Sequence, residues 1–242
     1  MERVIDNNAR KNCEIKAESR GRDSVMRNEV IQKIIDEKVV AIVRGIYGED
    51  CLNLAKALCA GGVKLMEVTF DQKSAEERQR TVDTIRLLIE NLGDVMAFGA
   101  GTVTTVEMVR QAKEAGAQFI ISPDTNVAVI EETVRLNMVS VPGALTPSEM
   151  MQAHWAGADF IKVFPANQMG PGYFKTVAAP LSQIRMLAVG GINGDTVLDY
   201  KKAGAAGFGV AGCLFKPQWV KEGQWDTITN ATAEFMKILN EG

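Results

Sequence analysis

The sequence is poor in several residue types, and each shortage narrows the class of protein that it encodes. Aromatic residues make up 6% of the 242 residues, and there is one histidine, His154. The four cysteines form no CxxC pair and no metal-ligand spacing, which favours a reducing, cytoplasmic location and no bound metal. The formal net charge is −3 without a basic stripe, so nothing indicates nucleic-acid binding. No apolar run approaches the roughly 20 residues of a membrane span.

The abundant residues are small or apolar. Hydrophobic residues make up 46% of the chain, enough for a sizeable core, and the length fits one large α/β domain or two small ones. Residues 1–27 are charged and polar, and we expect them to form a disordered tail that carries no signal peptide. Met26 is a candidate alternative start of translation. The compact domain is then predicted to span 28–242.

Short apolar runs alternate with longer amphipathic stretches from residue 28 onward, a pattern that predicts a parallel sheet covered by helices. The predicted strands are 39–43, 64–70, 95–99, 118–122, 138–142, 159–164, 185–190 and 206–211. The predicted helices include 27–37, 50–60, 75–92, 105–115, 147–156 and 224–240.

A weak repeat indicates how this sheet is organised. The tripeptide AGG or AGA stands at 60–62, 115–117, 156–158 and 203–205, before every second predicted strand. Eight β–α units in about 215 residues predict a single (β/α)8 TIM barrel with an extra N-terminal helix. The alternative is a doubly wound open sheet, but the first β–α turn, RGIYGED, lacks the glycine pattern of a dinucleotide site.

One lysine stands inside a buried strand, in the segment FIKVFPA at 160–166. Because strand side chains alternate, Lys162 shares a face with Phe160, and Glu67 shares one with Leu65. Inward-facing strands would bring both charges, with Arg44 from the first strand, to the carboxyl-terminal end of the barrel, where barrel active sites lie.

The chemistry that this pair predicts is specific. A desolvated lysine amine loses its proton more readily and becomes a nucleophile that condenses with a ketone, while a nearby carboxylate moves protons. Two structural alternatives remain open at this point. Lys162 could extend its ammonium to water at the strand end, or it could form a buried ion pair with Glu67.

Two glycine-rich turns form a second signal. VGGIN at 189–193 and VAG at 210–212 follow the seventh and eighth predicted strands. Loops at these positions commonly bind phosphate through backbone N–H groups. They predict an anion site beside the lysine.

These residues carry a resemblance to a known family. The chain from about Val39 to Phe215 resembles the 2-keto-3-deoxy-6-phosphogluconate / 4-hydroxy-2-oxoglutarate aldolases, which are class I aldolase barrels. The matching motifs are AIVRG (41–45), EVTF (67–70), GAGTV (99–103), ISP (121–123), PGALTPSE (142–149), IKVFPA (161–166) and VGGI (189–192).

The resemblance implies a metal-independent, cofactor-free homotrimer in which Lys162 forms a Schiff base and Glu67 is the general acid/base. Around the pyruvate part of the substrate it places Arg44, Thr102, Pro123 and Phe164. Around a distal phosphate it places Gly190, Gly191, Gly212 and Cys213. The substrate is therefore expected to be a small keto acid, phosphorylated in most members.

Three positions depart from the family pattern and leave the substrate open. Asp71 stands where some members carry an arginine, Val189 replaces a common threonine, and Cys213 replaces a phosphate-binding serine. The expected substrate is 2-keto-3-deoxy-6-phosphogluconate or 4-hydroxy-2-oxoglutarate. The alternatives are the 6-phosphogalactonate analogue, another phosphate-binding barrel enzyme, and a barrel that binds a keto acid without catalysis.

Overall fold

The computed structural model describes residues 26–241, which fold around one parallel sheet. The strands are β1 (Val39–Val43), β2 (Leu65–Thr69), β3 (Ala97–Gly101), β4 (Phe119–Ile121), β5 (Val139–Val141), β6 (Gly143–Ala144), β7 (Ile161–Val163), β8 (Met186–Val189) and β9 (Gly207–Val210). The helices are α1 (26–37), α2 (Gly48–Ala60), α3 (Ala75–Leu92), α4 (Val106–Glu114), α5 (Val127–Arg135), α6 (Pro147–Trp155), α7 (Ala166–Met169), α8 (Pro171–Ala178), α9 (Val197–Lys202), α10 (Pro217–Lys221) and α11 (Trp225–Glu241).

The sheet closes on itself. Its strand order is β5-β4-β3-β2-β1-β9-β8-β7-β6, with every neighbouring pair parallel. The two ends of this ladder, β5 and β6, are consecutive in the chain and separated only by Pro142. Proline has no N–H for the ladder, but its carbonyl accepts a hydrogen bond from the Lys162 N–H at 2.8 Å. The sheet is thus a barrel of eight strand positions, and the predicted (β/α)8 fold is confirmed.

Two apolar clusters hold the barrel together. The larger one fills the space between the strands and the surrounding helices. The smaller one lies inside the barrel and includes Leu65, Phe119, Phe160 and Leu187, each at most 2% exposed. Bulky residues therefore fill the lower interior, as in other parallel barrels.

Helix α1 covers the amino-terminal end of the barrel. Val30 and Ile34 on this helix belong to the inner cluster. Arg27 donates to Asp159 at 2.7 Å and, from Nε, to the Met138 carbonyl at 3.1 Å. An extra helix before the first strand was predicted, and it closes the end opposite to the strand ends that carry the polar residues.

Most element boundaries differ from the prediction by one or two residues. The predicted tail, 1–27, lies outside the described residues except for its last two, which belong to α1. Strand β3 begins and ends two residues later than predicted, at Ala97 and Gly101. Within 26–241, no helix combines the length and the apolar character that a bilayer crossing demands.

Candidate active site

A cavity of about 650 Å³ opens at the carboxyl-terminal end of the barrel. All ten residues singled out from the sequence contribute to its wall. They are Arg44, Glu67, Thr102, Pro123, Lys162, Phe164, Gly190, Gly191, Gly212 and Cys213. Residues from seven strands or the turns that follow them, far apart in sequence, are therefore neighbours in space.

Lys162 lies in the middle of β7, paired with Gly143 on one side and Leu187 on the other. It is 7% exposed, and its Nζ lies 5.1 Å from the centre of the Phe164 ring. In the part of the chain that the structure describes, no acidic oxygen lies within the 4.0 Å of an ion pair with Lys162. The amine therefore faces the cavity, neither extended into bulk water nor neutralised by a direct partner.

Glu67 occupies the centre of β2 and is 1% exposed. Its Oε2 is buried without a hydrogen-bond partner among the described residues. Burial raises the pKa of the Glu67 carboxyl group, and the nearby charges of Lys162 and Arg44 only partly oppose that rise. A carboxyl group in this setting holds a proton to higher pH than an exposed glutamate, as a general acid must.

Gly101 makes room for this carboxyl group. A β-carbon at Gly101 would lie 2.6 Å from both Cδ and Oε2 of Glu67. Glycine is therefore required at this position of β3, because the Glu67 carboxyl group approaches its Cα closely. This steric requirement explains the second glycine of the motif GAGTV.

The floor of the cavity is apolar. Below Lys162 and Glu67, the inner space shrinks to about 10 Å³, lined by Val40, Ile121, Val141 and other aliphatic residues. That is no more than one water molecule needs. The two ionisable groups therefore sit at the boundary between a dry core and an open cavity, where charges are weakly screened.

Arg44 and Thr102 form the polar side of the cavity. Arg44 Nη2 donates to Thr102 Oγ1 at 3.1 Å. Thr102 has a φ of 56°, in the left-handed region that threonine rarely adopts. Asp71 does not line the cavity, and its carboxylate accepts a hydrogen bond from the Lys73 N–H at 2.7 Å.

The glycine turn after β8 forms the opposite wall. Gly190 and Gly191 have φ values of 99° and 74°, which glycine adopts without strain. The Gly190 carbonyl accepts from the Asn167 N–H at 3.1 Å, and a β-carbon at Gly191 would approach the Asn167 side chain within 2.6 Å. This turn is therefore held against the loop that follows Lys162.

Cys213 completes this wall beside Gly212. Its Sγ lies 3.7 Å from the Ile192 carbonyl oxygen, a weak S–H hydrogen bond. Burial raises the pKa of the Cys213 thiol, so the group is uncharged and its one proton is directed to the backbone.

Sequence reasoning did not select several wall residues: Ile42, Ile192, Asn193, Gly209 and Ala211. The four aliphatic or glycine positions carry no chemical signal in the sequence. Asn193 had a detectable signal, because Asn-Gly-Asp is a typical turn, and its Oδ1 accepts from the Asp195 N–H at 2.9 Å. Among residues 26–241, no three metal-ligating side chains converge.

A parallel barrel with a buried amine and a buried carboxyl group in one cavity provides the two groups that covalent amine catalysis uses. Residues 30–231 match the family described as "Aldolase: KDPG and KHG aldolase". The chain belongs to this family, whose members are aldehyde-lyases.

Individual relatives agree with this assignment. The 2-dehydro-3-deoxy-6-phosphogalactonate aldolase of Escherichia coli K12 is 32% identical over 74% of this chain and 84% of its own. The 2-dehydro-3-deoxy-phosphogluconate aldolase of Treponema pallidum is 34% identical over 67% of this chain and 75% of its own. The KDPG aldolase of Legionella pneumophila, solved with pyruvate captured as a covalent carbinolamine, superimposes with a TM-score of 0.71 and 27% identity, over 82% of this chain and 94% of that one.

Proposed function

We propose that this protein cleaves a 4-hydroxy-2-keto acid reversibly to pyruvate and an aldehyde, through a Schiff base on Lys162. The observation that carries the proposal is the placement of Lys162 and Glu67, both buried, in the wall of one cavity without an ion pair between them. A purely structural pair would be expected to make direct contact. The relative with a captured carbinolamine supports the same chemistry.

The first half of the reaction builds the iminium. The Lys162 amine attacks the C2 ketone, and the carbonyl oxygen becomes the hydroxyl group of a carbinolamine. Glu67, whose pKa is raised by burial, gives a proton to that hydroxyl group, which leaves as water. The nitrogen lone pair forms the C=N bond of the iminium, and Glu67 is left as the carboxylate.

The second half breaks the carbon–carbon bond. The Glu67 carboxylate accepts the proton of the C4 hydroxyl group, the C3–C4 bond breaks, and its electron pair moves to the iminium to form an enamine. The aldehyde is released. Glu67 returns the proton to C3, which gives the iminium of pyruvate. Water attacks C2 of this iminium and gives one proton to the Glu67 carboxylate; the second proton moves from the new hydroxyl group to nitrogen as the C=O bond of pyruvate forms and the Lys162 amine leaves.

The remaining wall residues are assigned to binding. Arg44 and Thr102 face the carboxylate of the keto acid, because a guanidinium group and a hydroxyl group are suitable donors for it. Pro123 and Phe164 enclose the pyruvate carbons. The Gly190–Gly191 turn, Gly212 and Cys213 face the distal phosphate, and the backbone N–H donors there do not depend on side-chain identity. The proposed substrate is accordingly a 2-keto-3-deoxy-6-phospho sugar acid.

Borohydride trapping with pyruvate tests the mechanism. We expect one pyruvate-derived mass on the protein, mapped by peptide mass spectrometry to Lys162. Lys162→Arg is expected to abolish both trapping and turnover, since a guanidinium group stays charged. A label on another lysine, or no label in active protein, would contradict the Schiff base. Trapping without cleavage of any keto acid would indicate a barrel that only binds.

A second candidate substrate is the 6-phosphogalactonate epimer. Val189, in place of threonine before Gly190, is the observation that favours it, because it gives the AVGG motif of the galactonate-type relatives. Assaying both epimers under the same conditions decides between them. The epimer with the higher kcat/KM is the substrate.

We also propose a cytoplasmic homotrimer. Large apolar side chains that are exposed among the described residues include Trp155 (77%), at the end of α6, and Met169, after β7. Burial against another copy would remove such side chains from water. Cys51, Cys59 and Cys213 are free thiols, which supports a reducing compartment. Light scattering coupled to size exclusion tests the assembly, and a monomeric mass would contradict it.

A further inference from the structure

The backbone of Thr102 is in an unfavourable conformation. Its φ of 56° places a β-branched residue in the left-handed region, where sterics disfavour it. Conformations of this kind persist only where the surroundings enforce them, and they concentrate at functional sites. Thr102 lies in the cavity wall directly after β3, so the contacts that enforce its conformation bear on the site.

One side chain outside the cavity holds this residue. The Gln72 Nε2 donates to the Thr102 carbonyl oxygen at 2.9 Å. The Gln72 Oε1 accepts from the Thr104 hydroxyl group at 3.2 Å. Both ends of the amide are therefore used, one on the backbone carbonyl of Thr102 and the other on the side chain of Thr104. Gln72 belongs to the loop after β2, the strand that carries Glu67.

The hydroxyl group of the same threonine contacts Arg44. Arg44 Nη2 donates to Thr102 Oγ1 at 3.1 Å, and the described residues provide no other side-chain hydrogen bond to this guanidinium group. A chain of contacts thus runs from Gln72 through Thr102 to Arg44. It links the loops after β2, β3 and β1 at the mouth of the cavity.

We infer that Gln72 is a positioning residue, which keeps Thr102 in its left-handed conformation and thereby fixes Arg44 for the carboxylate of the keto acid. The inference rests on the proposed function. Without Gln72, the backbone of Thr102 relaxes towards a negative φ and its hydroxyl group turns. Arg44 then loses its hydrogen bond to that hydroxyl group. Gln72 itself does not line the cavity, so its effect on binding is transmitted through Thr102.

The test compares Gln72→Leu with Gln79→Leu. Leucine keeps the approximate size of glutamine and removes both hydrogen bonds. Gln79 is a matched control, because it is an exposed glutamine nearby on α3 whose amide donates to the Asp83 carboxylate at 2.9 Å, away from the cavity residues. The readout is the pyruvate concentration that gives half-maximal borohydride trapping, which reports binding independently of the later steps.

For Gln72→Leu we expect this concentration to rise about fivefold, the effect of one ordinary hydrogen bond. The KM should rise in parallel, kcat should change less than about twofold, and Gln79→Leu should match the wild type. Gln72→Glu keeps the acceptor for Thr104 but loses the donor to Thr102, and we expect the same rise in KM. A merely structural role would instead lower thermal stability with KM unchanged, and would overturn the inference.

A double-mutant cycle with Arg44 isolates the transmitted effect. Arg44→Ala should weaken pyruvate binding, and Gln72→Leu should add little in that background. Additive losses would overturn the inference. If wild-type protein gives no adduct at Lys162, the proposed function fails. If the adduct forms but Gln72→Leu binds pyruvate normally, only the role of Gln72 fails.

Discussion

The Glu67 carboxyl group lies against the Cα of Gly101 on the neighbouring strand, in space that any other residue would fill. A β-carbon there would stand 2.6 Å from the carboxyl carbon, far inside van der Waals contact. The position of the proposed general acid is therefore determined by the absence of a side chain on β3. The following four predictions concern this contact, the Glu67 carboxyl group itself, the thiol in the cavity wall and an ion pair at the other end of the barrel.

Gly101→Ala should displace Glu67 and lower kcat by about 10²-fold or more, the range associated with loss of general acid/base catalysis. The far-ultraviolet circular dichroism spectrum should be unchanged. Gly172→Ala is the control, because a β-carbon at Gly172 meets nothing within 4 Å. Activity of Gly101→Ala equal to that of the control would show that the carboxyl group does not depend on this space.

Glu67→Gln should lower kcat by about 10²–10⁴-fold and also change how stability depends on pH. Burial raises the pKa of Glu67 above the ordinary 4.5, so the folded protein holds this proton to higher pH than the unfolded chain does. The wild type therefore loses stability as the pH rises from about 4.5 through the raised pKa. Glutamine cannot ionise and lacks this loss.

Thermal melts of both proteins between pH 4 and pH 8 measure the difference. The midpoint of Glu67→Gln, relative to the wild type, should increase with pH across that window. A constant difference would mean that Glu67 titrates alike in the folded and unfolded states.

Cys213→Ser should raise kcat/KM about three- to tenfold for a phosphorylated substrate, because a hydroxyl group is a stronger donor to an anion than a thiol. The unphosphorylated analogue should be nearly unaffected. Equal effects on both substrates would show that the cavity wall containing Cys213 does not bind the phosphate. They would favour a short substrate such as 4-hydroxy-2-oxoglutarate.

Arg27→Met should destabilise the fold by about 1.5–3 kcal/mol, the range of hydrogen bonds to charged groups, with kcat unchanged. The substitution leaves the half-buried Asp159 carboxylate with the Ser140 N–H, at 2.9 Å, as its remaining hydrogen-bond donor among the described residues. Arg86→Met is the control, because its ion pair with Asp83 at 3.2 Å is exposed and contributes little. Urea unfolding of both variants measures the difference, and equal losses would contradict the role of Arg27.

The sequence was sufficient to predict the barrel and the meeting of Lys162 with Glu67, because strand alternation and parallel pairing determine both. It misplaced β3 by two residues, since Gly101 is a poor strand former whereas Val95 and Met96, just before β3, are apolar. The hydrogen bonds of Gln72 with Thr102 and Thr104 join two loops whose conformations no periodicity describes. Hydrogen bonds between such loops can be identified only from the folded structure.

The apolar layer beneath Lys162 bears on the order in which the two products of the proposed reaction leave the enzyme. In the proposed mechanism, the pyruvate carbons are bonded to Nζ of Lys162, above a space of about 10 Å³ that admits no product. The aldehyde half then lies on the side away from this apolar layer and departs while pyruvate is still bonded to the enzyme. Release is therefore sequential, with pyruvate last, and accumulated pyruvate returns the enzyme to the covalent form from which condensation with a new aldehyde begins.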